Sequence, residues 1–405
     1  MGALGIFGVA VFALGIAASV ALHEAGHMFA ARAFGMRVRR YFIGFGPKVW
    51  STTRGGTEYG IAALPLGGFC EIAGMTALDE VTPEEAPHAM VRKPAWQRVG
   101  VMAGGIAMNL LIGVLLIYLV AVFSGIPNPD ADRTPRVGEL SCTSDQVDER
   151  TLADCTGPGP AERAGLRPGD ELVAVDGQPL ESFIQLRDYV VERPGEIVEI
   201  TVERDGGRQA LPVRVDTVSR INPKTGEAFE AGAIGMGAAP VKDAVKQYGP
   251  AAAVPAALKL SGQMLDSTVD GIIAFPASIP GVVASVFGAE RDIEGPVSII
   301  GASRAGGELV ERSAWSVFWM LLASLNFFLA LFNLIPLPPL DGGHIAVILF
   351  EKVRDFLRRL RGLPPGPPAD YTKLMPLTYL MASLLLFVGV TVMLADVINP
   401  VRLFG

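Results

Sequence analysis

Four long apolar stretches without a charged side chain constrain this chain more than any other feature of its sequence. They cover residues 3–22, 99–123, 314–340 and 374–395. An α-helix needs about 20 apolar residues to cross the roughly 30 Å of hydrocarbon in a bilayer, and each stretch supplies that length. Half of the 405 residues are hydrophobic and only 19% are charged, which is also typical of a membrane protein. The sequence therefore predicts a polytopic α-helical membrane protein with four transmembrane helices.

A fifth uncharged stretch, residues 271–289, is only moderately apolar and contains Pro276 and Pro280, so its insertion in the membrane stays open. The basic residues bear on this question, because they cluster in the segment between the first two stretches and in the segment between the last two. These residues are Arg32, Arg37, Arg39, Arg40, Lys48, Arg54, Lys352, Arg354, Arg358, Arg359 and Arg361. Positively charged loops stay in the cytoplasm. Both segments lie in the cytoplasm only if the chain crosses the membrane four times, without residues 271–289 as a further span.

The first apolar stretch ends in His23-Glu24-Ala25-Gly26-His27. On an α-helix, His23 and His27 share one face and can bind a zinc ion, while Glu24 lies beside them and can accept a proton from water. The same pattern on a soluble helix can arise by chance. An ionisable residue near the bilayer centre costs roughly 2.5–3.5 kcal/mol, and residues retained at that cost are functional as a rule. We therefore predict a metal site here.

The third stretch offers a further metal ligand where it ends. Prolines at positions 336, 338 and 339 interrupt a helix, and Asp341 and His344 follow them. With four spans, Asp341 reaches the same side of the membrane as His23 and His27. Two histidines, one carboxylate and an open position for water form a hydrolytic zinc site, so we predict Asp341 as the third ligand. The alternative for Asp341 is a plain helix-terminal residue. His344 is a rival ligand, for which a supporting or loop role fits better.

The segment between the first two spans changes character. Residues 36–73 alternate apolar with polar residues and glycines, which predicts short β-strands and hairpins with a turn at residues 54–57. Residues 64–69, including Gly67 and Gly68, are expected to form a kinked loop beside the metal helix. This hairpin either lines the active site, where a free strand edge holds an unwound substrate by β-addition, or is a plain cytoplasmic surface hairpin. Asn326 and Asn333 in the third span either bind the substrate backbone or hold helices together.

Beyond residue 123 the composition becomes that of a soluble domain. Residues 161–170 predict one helical turn and a tight turn, 171–175 a strand, 180–192 a helix, and 196–204 with 208–215 a hairpin. Residues 161–177 resemble a PDZ domain, which implies a module that binds extended peptides at a strand edge. Pro158 and Pro160 remove amide donors from the loop that would capture a carboxylate, so a steric or docking role is an equal alternative. Cys142 and Cys155 lie in this extracytoplasmic segment, where a disulfide is expected, although two free thiols remain possible.

The predicted organisation follows the chain in eight segments. They are the first transmembrane helix (1–35), the β-hairpin and a cytoplasmic loop (36–95), the second transmembrane helix (96–125), the PDZ-like α+β domain (126–235), a membrane-surface linker (236–313), the third transmembrane helix (314–345), a cytoplasmic loop (346–373), and the fourth transmembrane helix with the C-terminus (374–405). The net charge of −7, without a basic run interleaved with aromatic residues, argues against nucleic acid as a partner.

These motifs together resemble the site-2 protease family of intramembrane zinc proteases. The resemblance rests on His23–His27, on residues 65–68, on the PDZ-like insert and on residues 333–342, and it is strongest to the bacterial, mycobacterium-like branch with one PDZ domain. It implies one Zn²⁺ per chain bound by His23, His27 and Asp341, with Glu24 as the catalytic residue. It also implies a multi-pass protein of the cytoplasmic membrane, with its active site toward the cytoplasm and its PDZ-like domain outside.

The resemblance implies substrates as well. They would be single-pass membrane proteins, such as anti-sigma factors, that a first protease has already trimmed, and their cleavage would release a transcriptional signal. Two other functions stay open: a non-catalytic PDZ scaffold in the membrane, and a membrane metalloprotease acting on water-exposed substrates. A scaffold is expected to lack a ligand or the glutamate, whereas this chain has all four residues.

Overall fold

A computed structural model describes residues 2–76, 78–128, 130–148, 151–222, 227–289, 291–292 and 295–401. Its helices are α1 (Ala3–Ala33), α2 (Ala95–Phe123), α3 (Pro160–Arg163), α4 (Phe183–Val191), α5 (Pro250–Val286), α6 (Ile299–Glu311), α7 (Trp315–Leu334), α8 (Asp341–Leu360) and α9 (Met375–Ile398). Its strands are β1 (Val38–Arg54), β2 (Thr57–Ile72), β3 (Ile126–Pro127), β4 (Val137–Leu140), β5 (Glu171–Val175), β6 (Gln178–Pro179), β7 (Ile197–Arg204), β8 (Gly207–Arg214), β9 (Asp216–Ile221), β10 (Ala228–Ala233), β11 (Met236–Ala238) and β12 (Val245–Lys246).

The chain forms two compact units. One comprises residues 1–126 and 247–405, and the other comprises residues 127–246. Within the described residues of the first unit, α1, α2, α5, α7 and α9 are long and apolar enough to cross a membrane. Four of these helices overlap the four predicted spans, and α5 includes residues 271–286 of the ambiguous stretch 271–289 as part of one long helix. The protein is therefore a multi-pass membrane protein with an inserted β-rich unit.

Glycines bring α1 and α2 into direct backbone contact. A Cβ on Gly104 would lie 2.6 Å from the carbonyl oxygen of Gly26, and a Cβ on Gly26 would clash with the Gly104 carbonyl in return. A Cβ on Gly100 would lie 2.9 Å from the ring of Phe34. The glycines of the second span thus let a neighbouring helix pack closely, as small residues do in membrane helix interfaces.

Helices α1 and α7 run side by side in the same direction. Phe12 packs edge-on against Phe318 with ring centroids 5.2 Å apart, and about two turns further along, Asn326 Nδ2 donates to Ser19 Oγ at 3.0 Å. Helix α2 is antiparallel to α1, since His27 contacts Val101 whereas the earlier His23 contacts the later Asn109. The HExxH segment of α1 therefore faces the C-terminal end of α7.

The predicted break at the end of the third span is present. Helix α7 ends at Leu334, two residues before the first proline, and α8 begins with Asp341. The first turn of α8 then folds against that break: a Cβ on Gly343 would lie 2.8 Å from the Leu337 carbonyl, and one on Gly342 would clash with the Ile335 carbonyl. Two consecutive glycines thus allow Asp341 to sit directly beneath the end of α7.

Two buried ion pairs connect distant parts of this unit. Arg98 of α2 donates to Glu351 of α8 at 2.6 Å, and both side chains are at most 10% exposed. Arg291 donates to Asp396 of α9 at 2.8 Å, and Asp396 also accepts from the Ser298 amide at 2.6 Å. Removal of one partner from such a pair would leave a buried charge, which costs about 3–5 kcal/mol. The first pair fixes α8, and hence Asp341, against α2.

The predicted hairpin is a folded ribbon in which one segment of β1 and one segment of β2 each pair with neighbours on both sides. Residues 40–43 of β1 pair on one edge with residues 58–61 and on the other with residues 68–71, while residues 48–54 pair with 57–62. Residues 64–69, expected as a kinked loop, instead belong to β2. That expectation was wrong because register shifts and the positive φ of Gly67 absorb the bend within the strand. Residues 68–72 consequently form one outer edge of the ribbon.

The inserted unit contains a sheet in the order β6-β5-β7-β8, with α4 beside it. Strand β5 and the β7–β8 hairpin confirm the predicted strands, and α4 lies within the predicted helical stretch 180–192. Burial favours a higher pKa for Asp170, but its hydrogen bonds from Arg204 and from the Arg167 amide hold that pKa below its ordinary range. Cys142 and Cys155 form a disulfide, while Cys70 in the other unit is a free thiol.

Candidate metal centre

Three potential metal ligands converge between α1 and the start of α8. The Nε2 atoms of His23 and His27 lie 3.2 Å apart, and each lies 3.3 Å from Oδ2 of Asp341. Both histidines are buried, and Asp341 is half-buried. One turn of α1 brings the two imidazoles together, and the break after α7 delivers the carboxylate. In the described part of the chain these are the residues whose donor atoms could share one ion.

The spacing of the three atoms fits zinc. Donors about 2.0–2.1 Å from a tetrahedral zinc ion stand about 3.3–3.4 Å from one another, and the observed sides of the triangle are 3.2, 3.3 and 3.3 Å. Asp341 Oδ2 is buried without a hydrogen-bond partner among the described residues. A buried carboxylate oxygen without a hydrogen-bond partner destabilises the folded protein unless a cation binds it. The residues present therefore fit a metal held by two imidazoles and one carboxylate.

The outer nitrogens of both imidazoles are also held. His27 Nδ1 lies 2.8 Å from the Val101 carbonyl oxygen, so Nδ1 carries the proton and Nε2 presents its lone pair to the metal. His23 Nδ1 lies 3.2 Å from the side-chain amide of Asn109, whose Oδ1 is buried without a partner. Rotating the Asn109 side-chain amide by half a turn places its oxygen against His23 Nδ1, where the oxygen accepts a hydrogen bond from the Nδ1 proton. Helix α2 thus sets the orientation of both ligands.

Glu24 follows His23 in α1 and lies close to the ligand triangle, next to the hairpin. A Cβ on Gly68 would lie 3.2 Å from Glu24 Cγ and 2.9 Å from the Phe42 carbonyl oxygen, so only glycine lets the strand approach this closely. Burial, together with the nearby Glu24 carboxylate, raises the pKa of the Cys70 thiol to about 12. Cys70 is not among the described residues whose donor atoms lie close enough to share an ion with His23, His27 and Asp341.

Comparison with known proteins agrees with this geometry. Residues 11–362 match the model of peptidase family M50. The chain belongs to that family. It is similar to proteins named zinc metalloprotease Rip1 from Mycolicibacterium smegmatis, 44% identical over 402 residues and 98% of each chain, and from Mycobacterium tuberculosis H37Rv, 44% identical over 403 residues, 98% of this chain and 99% of the relative. It is also 29% identical to the regulator of sigma-E protease RseP of Salmonella typhimurium, over 86% of this chain and 91% of that protein.

The other residues singled out in the sequence of this M50 peptidase take different places. Asn326 is fully buried and donates to Ser19 and to the Leu322 carbonyl, so of its two open roles the contacts favour helix packing. Asn333 is half-buried near the end of α7 and has no hydrogen-bond partner among the described residues, which leaves its amide available. His344 lies outside the ligand triangle, with its ring centroid 6.1 Å from that of Tyr371.

Two residues of the M50 site were not singled out from the sequence. Asn109 orients His23, and Gly105 faces both imidazoles, since a Cβ there would lie 2.7 and 2.8 Å from Cε1 and Nε2 of His23 and nearer still to His27. A signal for Asn109 was present, because it is the one polar amide in the stretch 99–123. The position of Gly105 beside both imidazoles follows only from the register of α2 on α1.

Proposed function

We propose that this chain is a zinc-dependent intramembrane endopeptidase that cleaves pre-trimmed single-pass membrane proteins of the anti-sigma factor kind. The observation that carries the proposal is the triangle of His23, His27 and Asp341 with Glu24 beside it, inside a bundle of apolar helices. The relatives support it by name, as zinc metalloprotease Rip1 and as regulator of sigma-E protease RseP.

The residues of the site divide the chemistry among themselves. His23, His27 and Asp341 would hold the zinc ion, which would supply the Lewis acidity for activating water and the scissile carbonyl. The Glu24 carboxylate accepts the proton of the attacking water and then donates it to the leaving amine. Asn109 and the Val101 carbonyl keep both imidazoles oriented through these steps. Gly105 leaves room beside α2 for the two imidazoles.

A helical substrate must unwind before cleavage, because its carbonyls are hydrogen-bonded within the helix. Residues 68–72 present an outer strand edge beside Glu24, where an opened substrate can add as a further strand. Gly67 and Gly68 keep that edge close to the catalytic carboxylate. Asn333 lies with an available amide near the same end of the bundle and is suited to hold the substrate backbone. We therefore assign substrate binding to this edge and to Asn333, and not to Asn326.

The packing of α5 supports a four-span topology. Helix α5 meets the length and hydropathy expected of a span. Its first turns, however, pack against the C-terminal end of α2 through Ala257 and Val120, and its last turns pack against the C-terminal half of α9 through Val282 and Val392. Helices α2 and α9 both begin on the side of the metal centre and end on the opposite side. Because both ends of α5 pack toward the C-terminal ends of these two helices, both ends of α5 lie toward that opposite side. The basic segments then favour a metal centre that lies toward the cytoplasm.

In this topology the inserted unit is extracytoplasmic, and we assign it a PDZ-like role. Between α4 and residues 141–144 lies a groove of about 260 Å³ whose lining includes Phe183, Leu186 and Val190. Such a groove suits an extended peptide. The disulfide between Cys142 and Cys155 borders it and fits an oxidising compartment. The unit would exclude substrates whose outer portion has not yet been removed.

Substitution of Glu24 by glutamine tests the mechanism. The variant is expected to keep zinc and fold while losing cleavage of a membrane-embedded reporter, since the amide cannot accept the proton. Zinc content is measured by mass spectrometry of purified protein, and cleavage is measured in detergent and in vesicles. Retained cleavage by the purified variant would refute the assigned role. Comparative membrane proteomics of cells with either form then identifies substrates, which are expected to accumulate as trimmed precursors.

The same experiment separates the alternatives. A scaffold would show no accumulated precursors and no zinc-dependent cleavage. A protease of water-exposed substrates would cleave a soluble unfolded peptide as fast as the membrane-embedded reporter.

A further inference from the structure

Helix α8 carries an apolar stripe that no part of the described chain covers. The stripe consists of Leu349, Phe350, Val353, Phe356, Leu357 and Leu360, whose exposed fractions lie between 50% and 70%. Their spacing of i, i+1, i+4, i+7, i+8 and i+11 places all six on one face of the helix. A continuous exposed patch of large apolar side chains on a soluble surface would promote association, so this face has a partner.

Cations border the stripe on both sides. At 100° per residue, Lys352 and Arg359 lie along one border and Arg354 and Arg361 along the other. Lys352, Arg359 and Arg361 are exposed and form no ion pair within the described residues. An apolar face flanked by free cations is the composition of a helix that lies in a membrane interface and interacts with anionic headgroups.

The opposite face of α8 is already occupied by protein. Asp355 accepts from the Gly366 amide at 3.0 Å, and Arg358 donates to the Pro364 carbonyl at 2.8 Å. Nearer its start, Glu351 pairs with Arg98 of α2. The chain thus covers the polar face of α8 with its own proline-rich segment and leaves the apolar stripe open. The stripe also belongs to a helix whose first turn packs within the bundle of apolar helices, which places it next to lipid.

We propose that the second half of α8 binds the lipid leaflet on the side of the metal centre, with the six-residue stripe in the acyl region and the flanking cations on anionic headgroups. This interaction would hold α8 at a fixed depth. Because Asp341 is the first residue of the same helix, the lipid surface would also determine how firmly that residue is held beneath α7. The proposal concerns the surface of α8 and does not depend on the reaction that the site catalyses.

Spin labels on the full-length protein test the proposal. In a Cys70→Ser background, which leaves the disulfide of the inserted unit intact, Phe356→Cys places a label on the stripe and Arg358→Cys places a matched label on the opposite face. Each labelled protein is reconstituted in nanodiscs of phosphatidylcholine with and without phosphatidylglycerol. Collision with oxygen and with a water-soluble nickel complex reports the depth of each label. A label at Leu360→Cys repeats the measurement if Phe356→Cys fails to reconstitute.

The stripe label is expected to be accessible to oxygen and shielded from nickel, and the Arg358 label to show the reverse. Phosphatidylglycerol should shift the stripe label deeper, and neutralising Lys352, Arg359 and Arg361 together with glutamine should abolish that shift. A stripe label freely accessible to nickel would refute the proposal, as would a depth independent of phosphatidylglycerol. Dipolar coupling between labels on two molecules would instead assign the stripe to a second copy of the chain, and would also overturn the proposal.

Discussion

Gly105 provides a sharp test of whether the ligand triangle is the metal site. Replacement by alanine adds a single methyl group to α2, at the point where this helix faces both imidazoles. The Cβ of alanine at this position would lie 2.7 Å from Cε1 and 2.8 Å from Nε2 of His23, and closer still to Nε2 of His27. These distances are well below any normal contact, and backbone contact between Gly104 and Gly26 prevents the two helices from separating easily.

The size of the effect follows from these distances. To reach the van der Waals separation of about 3.5 Å, the His23 nitrogen must retreat by about 0.7 Å. Zinc–ligand distances tolerate about 0.2 Å. The methyl group is therefore expected to displace at least one imidazole from the metal, and loss of one ligand should lower zinc affinity by at least the 10–100-fold seen when only an outer-shell partner is lost.

The assay is zinc stoichiometry of the purified variant after dialysis against a graded series of chelator concentrations, with cleavage of a membrane-embedded reporter measured in parallel. Gly389→Ala is the matched control, because it makes the same substitution in α9, where a Cβ meets nothing within 4 Å. The control is expected to retain zinc and activity. If Gly105→Ala also retained both, the reasoning that places the metal between His23, His27 and Asp341 would be refuted.

Three further predictions address the ligands and the inserted unit. Asp341→Ala should lower zinc content per chain, and an unchanged stoichiometry would remove it from the ligand set. Asn109→Leu should weaken zinc binding 10–100-fold in chelator competition, with Asn109→Asp restoring most of it, because a carboxylate also accepts from His23 Nδ1. The lowered pKa of Asp170 stabilises the folded unit above the ordinary aspartate range, and this contribution is lost as pH falls through the folded-state pKa. The protection factors of the β5 amides in the full chain, which are corrected for the pH dependence of intrinsic exchange, should therefore fall in acid. Asp170→Asn should lower them already at neutral pH, by an amount that corresponds to about 3 kcal/mol of lost stability. Equal exchange rates in both proteins at neutral pH would contradict that role.

The parts of this protein that the sequence predicts well are those governed by local rules. A spacing of four residues places His23 and His27 on one helical face whatever the surroundings. Prolines at 336, 338 and 339 end a helix because they lack the amide proton and clash with the preceding turn. The strand β5 and the β7–β8 hairpin likewise follow from alternation and turn residues. The approach of Asp341 to the histidines was predicted by counting spans, which is a global but simple argument.

The parts that were missed depend on long-range register or on a competing local signal. Asn109 lies 86 residues from His23 in sequence, and only the packing of α2 on α1 brings them together. The strand through Gly67 and Gly68 looked like a loop because glycine and proline are ordinarily turn residues, but bulges in a folded ribbon use the same residues. Residues 346–373 were predicted as a loop on account of their charge. Most of their first half belongs to α8, and the apolar spacing from Leu349 to Leu360 was the available signal.

The position of Asp341 explains why the third ligand comes from a helix break and not from a continuous helix. As the first residue of α8, Asp341 lies where unpaired backbone amides create a positive electrostatic potential, which favours the ionised carboxylate that metal binding requires. A residue in the middle of α7 would lack that support. The following Gly342 and Gly343 are needed because side chains there would meet the backbone carbonyls of Ile335 and Leu337 in the segment between α7 and α8. Alanine at Gly343 should therefore shift Asp341 away from the histidines and lower zinc content, although no ligand is altered, and an unchanged zinc content would show that the first turn of α8 adapts without moving the carboxylate.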